Sequence, residues 1–433
     1  MNNLTLNTLL QNLDAPTARF TGLDRYYTGE QALAYLAPEA AKALGNRMAR
    51  IATNIPRLAV TSLAERLRVI GFARAGEPDP QLWDDWIRND LDQTSTVAHR
   101  EALTLGSAYV IVWADETGAP RVTVESARQV SVIRDPGTRR ITAALKKWET
   151  ATTTEAVLYE ADTITRLRAN HVGAATFGQF HTVEVLENPL GIPPVVALRN
   201  SDRLLDDGVS EMADLIPLVD ALNKILADMM VSSEFYARPR RWATGLELAE
   251  DEEGNPVNPI AEDYRMMISE SPDTKFGQLQ AADLSSYEAS VRVILGQIMA
   301  VSGLPAHYIG ILTDAPTSAD AMRAAEASLS ARASARQAQF GRAWEDVARL
   351  MVAVRTGQDP LNLDVRVHWA DTTTRSVAQE ADAAVKLYSA GLLPASTTLA
   401  RLGYSDDEIA GIRAARRTEA LDTAGTDLAG LLS

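Results

Sequence analysis

The sequence contains no cysteine. Disulfides, thiolate metal sites and cysteine nucleophiles are therefore excluded outright. Histidine is scarce: five residues, His99, His171, His181, His307 and His368, are scattered without H-E-x-x-H or other metal-ligand spacing. They read as surface or satisfied core histidines. Positive charge is in deficit, with Lys+Arg 42 against Asp+Glu 57 and a net charge of −15. A protein that grips nucleic acid over a broad surface carries the opposite sign. Any contact with DNA is expected to be loose. Long apolar runs are missing too: stretches such as VILGQIMAV (293–301) are too short to span a bilayer. The start, MNNLTLNTLLQNLD, lacks a basic n-region and an apolar h-region, so a cytosolic origin without membrane attachment is expected.

Catalytic signatures are absent as well. The chain has no G-x-x-x-x-G-K-[ST], no G-x-G-x-x-G and no G-x-S-x-G. Adjacent carboxylates such as Asp84/Asp85 and Asp206/Asp207 arise readily among 57 acids and read as solvated or capping residues. No cofactor, metal or catalytic residue is expected.

What is present is an ordinary globular composition, 46% hydrophobic and 23% charged, over 433 residues. Two or three domains are expected. Residues 1 to about 105 read as mainly helical, with Asp79-Pro80 placing a cap before a proline at the first helical position. From Gly106 to about 200, short β-branched runs such as AYVIVWA, RVTVE and HTVEVLE alternate with turn residues, which predicts a meandering sheet. Met212, Leu215, Ile216, Val219, Leu222 and Leu226 then give a helical stripe over 209–233. A second stripe (Tyr287, Val291, Ile294, Ile298, Val301) ends at Gly303 and Pro305. Between them, 235–280 breaks into short strands. After a loop, Thr317 can cap a helix reaching about Thr356, with Gly341 a candidate kink. A strand (363–369) and short helices (376–420) follow. The fold class is α+β, without the strand–helix alternation of a doubly wound sheet.

Charge switches abruptly near residue 242. ARPRRWA holds Arg238, Arg240, Arg241 and Trp242; nine acids follow between Gly245 and Lys275 (Glu247, Glu250, Asp251, Glu252, Glu253, Glu262, Asp263, Glu270, Asp273). Arginines beside an aromatic could stack on nucleic acid. Pairing with the nearby acids, within the chain or with a neighbouring copy, is the favoured reading.

The segment GLPAHYIGILTDAPTSADAMRAAEASLSARASARQAQFGRAWEDVARLM (303–351) resembles the portal, or connector, protein family of tailed double-stranded-DNA bacteriophages, siphophage type. The similarity rests on Gly303-Leu304-Pro305, Tyr308, Gly310, Pro316-Thr317-Ser318-Ala319-Asp320-Ala321, Glu326, Gln339-Phe340-Gly341 and Trp344. It extends to RYYTGEQ (25–31), NIPRLAVTSLAERLRVIGF (54–72), the run from Trp86 to Asp92, LGSAYVIVW (105–113) and 207–245, covering most of 25–370. Ala315 departs from the family, which often has Asn before that proline. Beyond about 375 only position and helical character match.

The resemblance implies a phage portal fold: an α/β wing (1–208), stem helices at 209–233 and 281–303, and a small β-containing clip (234–280) between them. It further implies a tunnel loop (304–317), a long kinked wing helix with its return strand (318–375), and a helical crown (376–433). It implies a homo-oligomeric ring, usually a dodecamer, at one capsid vertex of the virion, assembled in the host cytoplasm. Double-stranded DNA would pass through its channel for packaging and ejection. Terminase large subunit and head-completion or adaptor proteins would dock on it, and major capsid and scaffolding proteins would surround it. An acid-lined bore fits such passage, since it repels phosphates over only about 8 Å at physiological salt. The residues expected nearest DNA are His307, Tyr308 and Asp314; those at the clip are Arg240, Arg241, Trp242, Glu250, Asp251, Glu252 and Glu253. The alternatives are another phage head or adaptor protein, or an α+β enzyme using scattered carboxylates.

Overall fold

A computed structural model of the chain describes residues 3–32, 52–237, 241–245, 249–250, 256–257, 272–278, 284–310, 319–373, 377–402, 404 and 408–419. The chain divides into two units, Met1–Ala315 with Ser328–Ala370, and Pro316–Ala327 with Asp371–Ser433.

In the first unit the expected helices are α1 (Asn3–Asp14), α2 (Thr17–Thr28), α3 (Ile55–Ala64), α4 (Pro80–Arg88) and α5 (Leu91–Leu105). Asp79 caps α4 as its place before Pro80 requires, its Oδ1 accepting from the Leu82 N–H at 3.1 Å. One part of this region is not helical. Val69–Arg74 forms strand β1, which pairs with Glu77–Pro78 (β2) and with the late strand β15 (Val365–Trp369), Phe72 opposite Val367. The main partner of β1 lies near the far end of the chain, so no neighbouring turn signals the strand.

The expected single meander is two sheets. Strand β3 (Ser107–Ala114), buried from Ser107 through Val112, is central in one, between β4 (Pro120–Ser126) and β10 (Val195–Arg199). The other is a true five-stranded meander: β5 (Val130–Arg134), β6 (Ile141–Glu149), β7 (Thr154–Tyr159), β8 (Thr163–Ala169) and β9 (His181–Glu187). The break falls at a tight turn closed by Gln129 N–H to the Ser126 carbonyl at 3.0 Å, after which β5 pairs with β6 and leaves β4. Leu6, Leu9 and Leu10 of α1 cover the meander against Leu145, Leu158 and Leu167.

Helices α6 (Ile216–Ala237) and α7 (Ser285–Ser302) form over the two apolar stripes, but α6 begins only at Ile216, so Met212 and Leu215 of the expected 209–233 helix lie in the turn that leads into it. The two helices close on a seam of Val219, Leu222 and Ile298, extended by Leu226, Val291, Ile294 and Leu295. Between them lie two short antiparallel pairs, β11 (Arg241–Thr244) with β14 (Lys275–Gln278), and β12 (Ala249–Glu250) with β13 (Pro256–Val257).

Helix α8 (Ala319–Thr356) is 38 residues long. Its expected cap, Thr317, lies outside the described residues. The helix stays unbroken through Gly341, whose role is close approach: a Cβ there would lie 3.1 Å from Trp369 Nε1 and 3.3 Å from Val367 Cγ1. Phe340 and Trp344 are fully buried one turn apart, and Trp344 meets Trp86 edge-on with ring centroids 5.0 Å apart. In the second unit, α9 (Val377–Ser389), α10 (Ala395–Arg401) and a helical run over 408–419 follow the short-helix expectation.

Candidate functional site

The site suggested by the sequence has two parts, the β insertion between α6 and α7 and the segment after α7. In the insertion, Trp242 stands opposite Gly277 across the β11–β14 ladder. A Cβ on Gly277 would lie 2.5 Å from Trp242 Cζ2, so the indole covers the bare glycine backbone. Trp242 is nonetheless 44% exposed and Phe276 38% exposed. Arg241 pairs with Gln278 in this ladder, and Glu250 pairs with Pro256 in the other. Arg240, Asp251, Glu252 and Glu253 lie outside the described residues.

After α7, Gly303 takes a left-handed φ of 70° and its N–H returns to the Met299 carbonyl at 2.9 Å. No other residue fits easily: a Cβ would lie 2.9 Å from Ser328 Oγ and 3.1 Å from Arg332 Cδ of α8. Pro305 then starts a single 3₁₀ turn, Ala306–Tyr308. Tyr308 points inward. It is partly buried against both neighbouring apolar clusters, and its hydroxyl accepts from Arg66 Nη2 at 3.3 Å. The His307 ring lies beside it, centroids 4.9 Å apart. The structure thus brings His307 and Tyr308 together at the base of the loop. Asp314 lies outside the described residues.

A buried charge cluster was not legible in the sequence. Glu211, on the approach to α6, has a side chain only 6% exposed and receives two arginines of α8. Arg332 Nη2 reaches Glu211 Oε2 at 2.8 Å and Arg336 Nε reaches Oε1 at 2.7 Å. Burial opposes ionisation of Glu211, but the charges and hydrogen bonds of Arg336 and Arg332 prevail and hold its carboxyl below the ordinary value. Arg332 Nη1 also donates to the Val301 carbonyl at 2.6 Å, in the last turn of α7. One carboxylate therefore ties α8 to the start of one paired helix while Arg332 ties it to the end of the other. The available signal was Arg332 and Arg336, four apart on one helix face in SLSARASARQAQ.

Among the described residues no three His, Asp or Glu side chains gather to hold a metal ion. No helix of the described residues is long and apolar enough to cross a membrane. His99 is a core residue: fully buried, it accepts from the Trp344 indole N–H at 2.8 Å.

Comparison with known proteins gives the family. Residues 6–421 match the family described as phage portal protein, SPP1 Gp6-like. The portal protein of Mycobacterium phage D29 is 32% identical over 384 residues, covering 81% of this chain and 76% of that protein. That of Mycobacterium phage L5 is 32% identical over 378 residues, covering 82% and 76%. A chain from the neck of a native GTA particle, computed with C12 symmetry, aligns with a TM-score of 0.48 and 14% identity. It covers 89% of this chain and 99% of its own.

Proposed function

The chain belongs to the SPP1 Gp6-like phage portal protein family, and from that premise we propose how its parts serve a portal. A portal protein sits at one capsid vertex and provides the channel for DNA. In our reading the chain forms a homo-oligomeric ring, a dodecamer, with α6 and α7 as the stem and 234–280 as the clip. The clip, with Trp242 exposed and charge of both signs in its sequence, is the docking surface for terminase large subunit and later for a head-completion protein. Residues 304–317 form the tunnel loop, with His307 and Asp314 nearest the DNA and Tyr308 as the anchor at its base. The rest of 1–208 with 318–375 is the wing, and 376–433 the crown, among major capsid and scaffolding proteins. Assembly takes place in the host cytoplasm. The ring performs no catalysis of its own.

The match over residues 6–421 carries this reading. The geometry supports it: two long helices share an apolar seam, and a β insertion joins them. The net charge of −15 suits a bore that duplex slides through without sticking. A direct test replaces 309–314 by a short Gly/Ser linker and keeps Tyr308. Rings should assemble, while heads package or retain less DNA. Heads filled normally by such rings would reduce the loop to a connector.

A further inference from the structure

Arginines with little acidic compensation collect at one place in the wing. A cleft of about 690 Å³ lies between α1, α2 and the sheets, lined by Arg19, Phe20, Ser107, Tyr109 and Arg134, with the exposed Asp207 as its one acid. Arg199, on β10, lies on the same face of the sheet. It stands opposite Ser107 in the β3–β10 ladder, and Tyr109, two residues on, shares that face. Arg134 also borders an adjoining cleft together with Arg139 and Arg140.

These cations are poorly neutralised. Among the described residues, Arg19, Arg134, Arg139 and Arg140 make no ion pair, and Arg199 has only Asp207, at 3.9 Å, whose side chain is 97% exposed. The Arg199 Nε is buried with no hydrogen-bond partner. Arg134 spends one nitrogen on the Arg139 carbonyl at 3.3 Å. Burial first, and then the like charge of Arg199, hold the Arg134 guanidinium below its ordinary pKa. Like charges held together in a half-buried cleft cost stability unless an anion joins them.

We propose that this cleft receives a carboxylate side chain from a second copy of the chain, bound between Arg134 and Arg199. The inference rests on the ring reading above and adds to it a site on the wing. Guanidinium forks recognise carboxylates in paired hydrogen bonds, and the one ion pair of Arg199, at 3.9 Å to an exposed Asp207, leaves that capacity largely unmet. The chain itself is the nearest source of such groups, with 57 acids against 42 bases. A heterologous contact repeats around a ring, so each cleft meets the same neighbouring surface. Duplex DNA fits less well: phosphate binding uses cations projecting onto a convex backbone, whereas these guanidinia are recessed.

The test compares rings of full-length wild-type protein with Arg134→Gln/Arg199→Gln, following dissociation by light scattering as sodium chloride is raised. The double variant should dissociate at lower salt, with an assembly constant weakened at least about tenfold. Its separated subunits should melt no lower than wild type, since repulsion is removed. Arg19→Glu, at the exposed mouth of the cleft, should weaken assembly in the same direction and covers the case of a misfolded double variant. Rings of unchanged stability in both variants overturn this inference and leave the portal reading intact. A wild-type chain that never forms rings overturns both. Inorganic phosphate raising the melting temperature of wild-type subunits only, with assembly indifferent to the variants, would make this a free-anion site and overturn the assignment to a second copy.

Discussion

The Trp344 indole N–H donates to His99 Nε2 at 2.8 Å inside a closed aromatic core. Phe340 stacks on the imidazole with centroids 5.4 Å apart and planes 5° from parallel. As an acceptor at Nε2, His99 is neutral. Burial drives its pKa down to about 3 from 6.5, against a smaller opposing effect of the Leu67 backbone. The long helix is thereby fastened to α5 by a group that must not be protonated.

Between pH 6.5 and about 3 the unfolded chain binds a proton that the folded chain refuses. Stability from this site is complete above pH 6.5 and falls as pH drops towards 3, by on the order of a few kcal/mol. His99→Gln keeps an acceptor for Trp344 and removes the titration, so its unfolding free energy should be flatter across that window. Parallel curves for the two proteins, measured by urea unfolding, would show that His99 is not held neutral.

Glu211 titrates in a lower range. Because its folded carboxyl lies below the ordinary value, its contribution is complete above that value and is lost as pH falls through the folded one. Glu211→Gln should destabilise the chain by about 2–4 kcal/mol at neutral pH, since it leaves Arg332 and Arg336 facing a neutral group. Adding Arg336→Met should recover part of the loss in a double-mutant cycle. Simple additivity of the two changes would deny the coupling.

Gly106 and Gly208 bring their backbones into close contact. A Cβ on Gly208, at φ 131°, would lie 2.0 Å from the Gly106 carbonyl oxygen, where α5 passes into β3. Gly208→Ala should cost more than about 3 kcal/mol. Gly118→Ala, at a left-handed turn with nothing within 4 Å, should cost about 1. Equal melting temperatures for the two variants would contradict this contact.

In the proposed clip, Arg240→Glu with Arg241→Glu should weaken ring formation or terminase docking. Exposed ion pairs are individually worth about 0–1 kcal/mol, so the effect relies on repetition around the ring. Sedimentation and a pull-down with terminase read both consequences; no change in either would remove charge pairing from the account.

Local chemistry was the legible part of this fold. Asp79-Pro80, Gly303-Leu304-Pro305 and the Leu222 and Ile298 stripes specify helix ends and a buried seam from neighbours in sequence. Tertiary partnerships were not. Strand β1 depends on β15, the turn at Ser126–Gln129 divides one expected sheet into two, and Gly341 serves Trp369. Tyr308 shows the same limit at the candidate site. Its place in the loop was readable, but its inward turn depends on Arg66, from a distant part of the chain. In the Glu211 cluster the i, i+4 spacing of Arg332 and Arg336 was readable, but their partner lies more than a hundred residues away, with no spacing to mark it.

The central claim is the portal ring, and the molar mass of the purified full-length protein by light scattering tests it most directly. The account predicts a particle on the order of ten or more copies of the 46.9 kDa chain. A monomer or dimer at all concentrations and salts would contradict it.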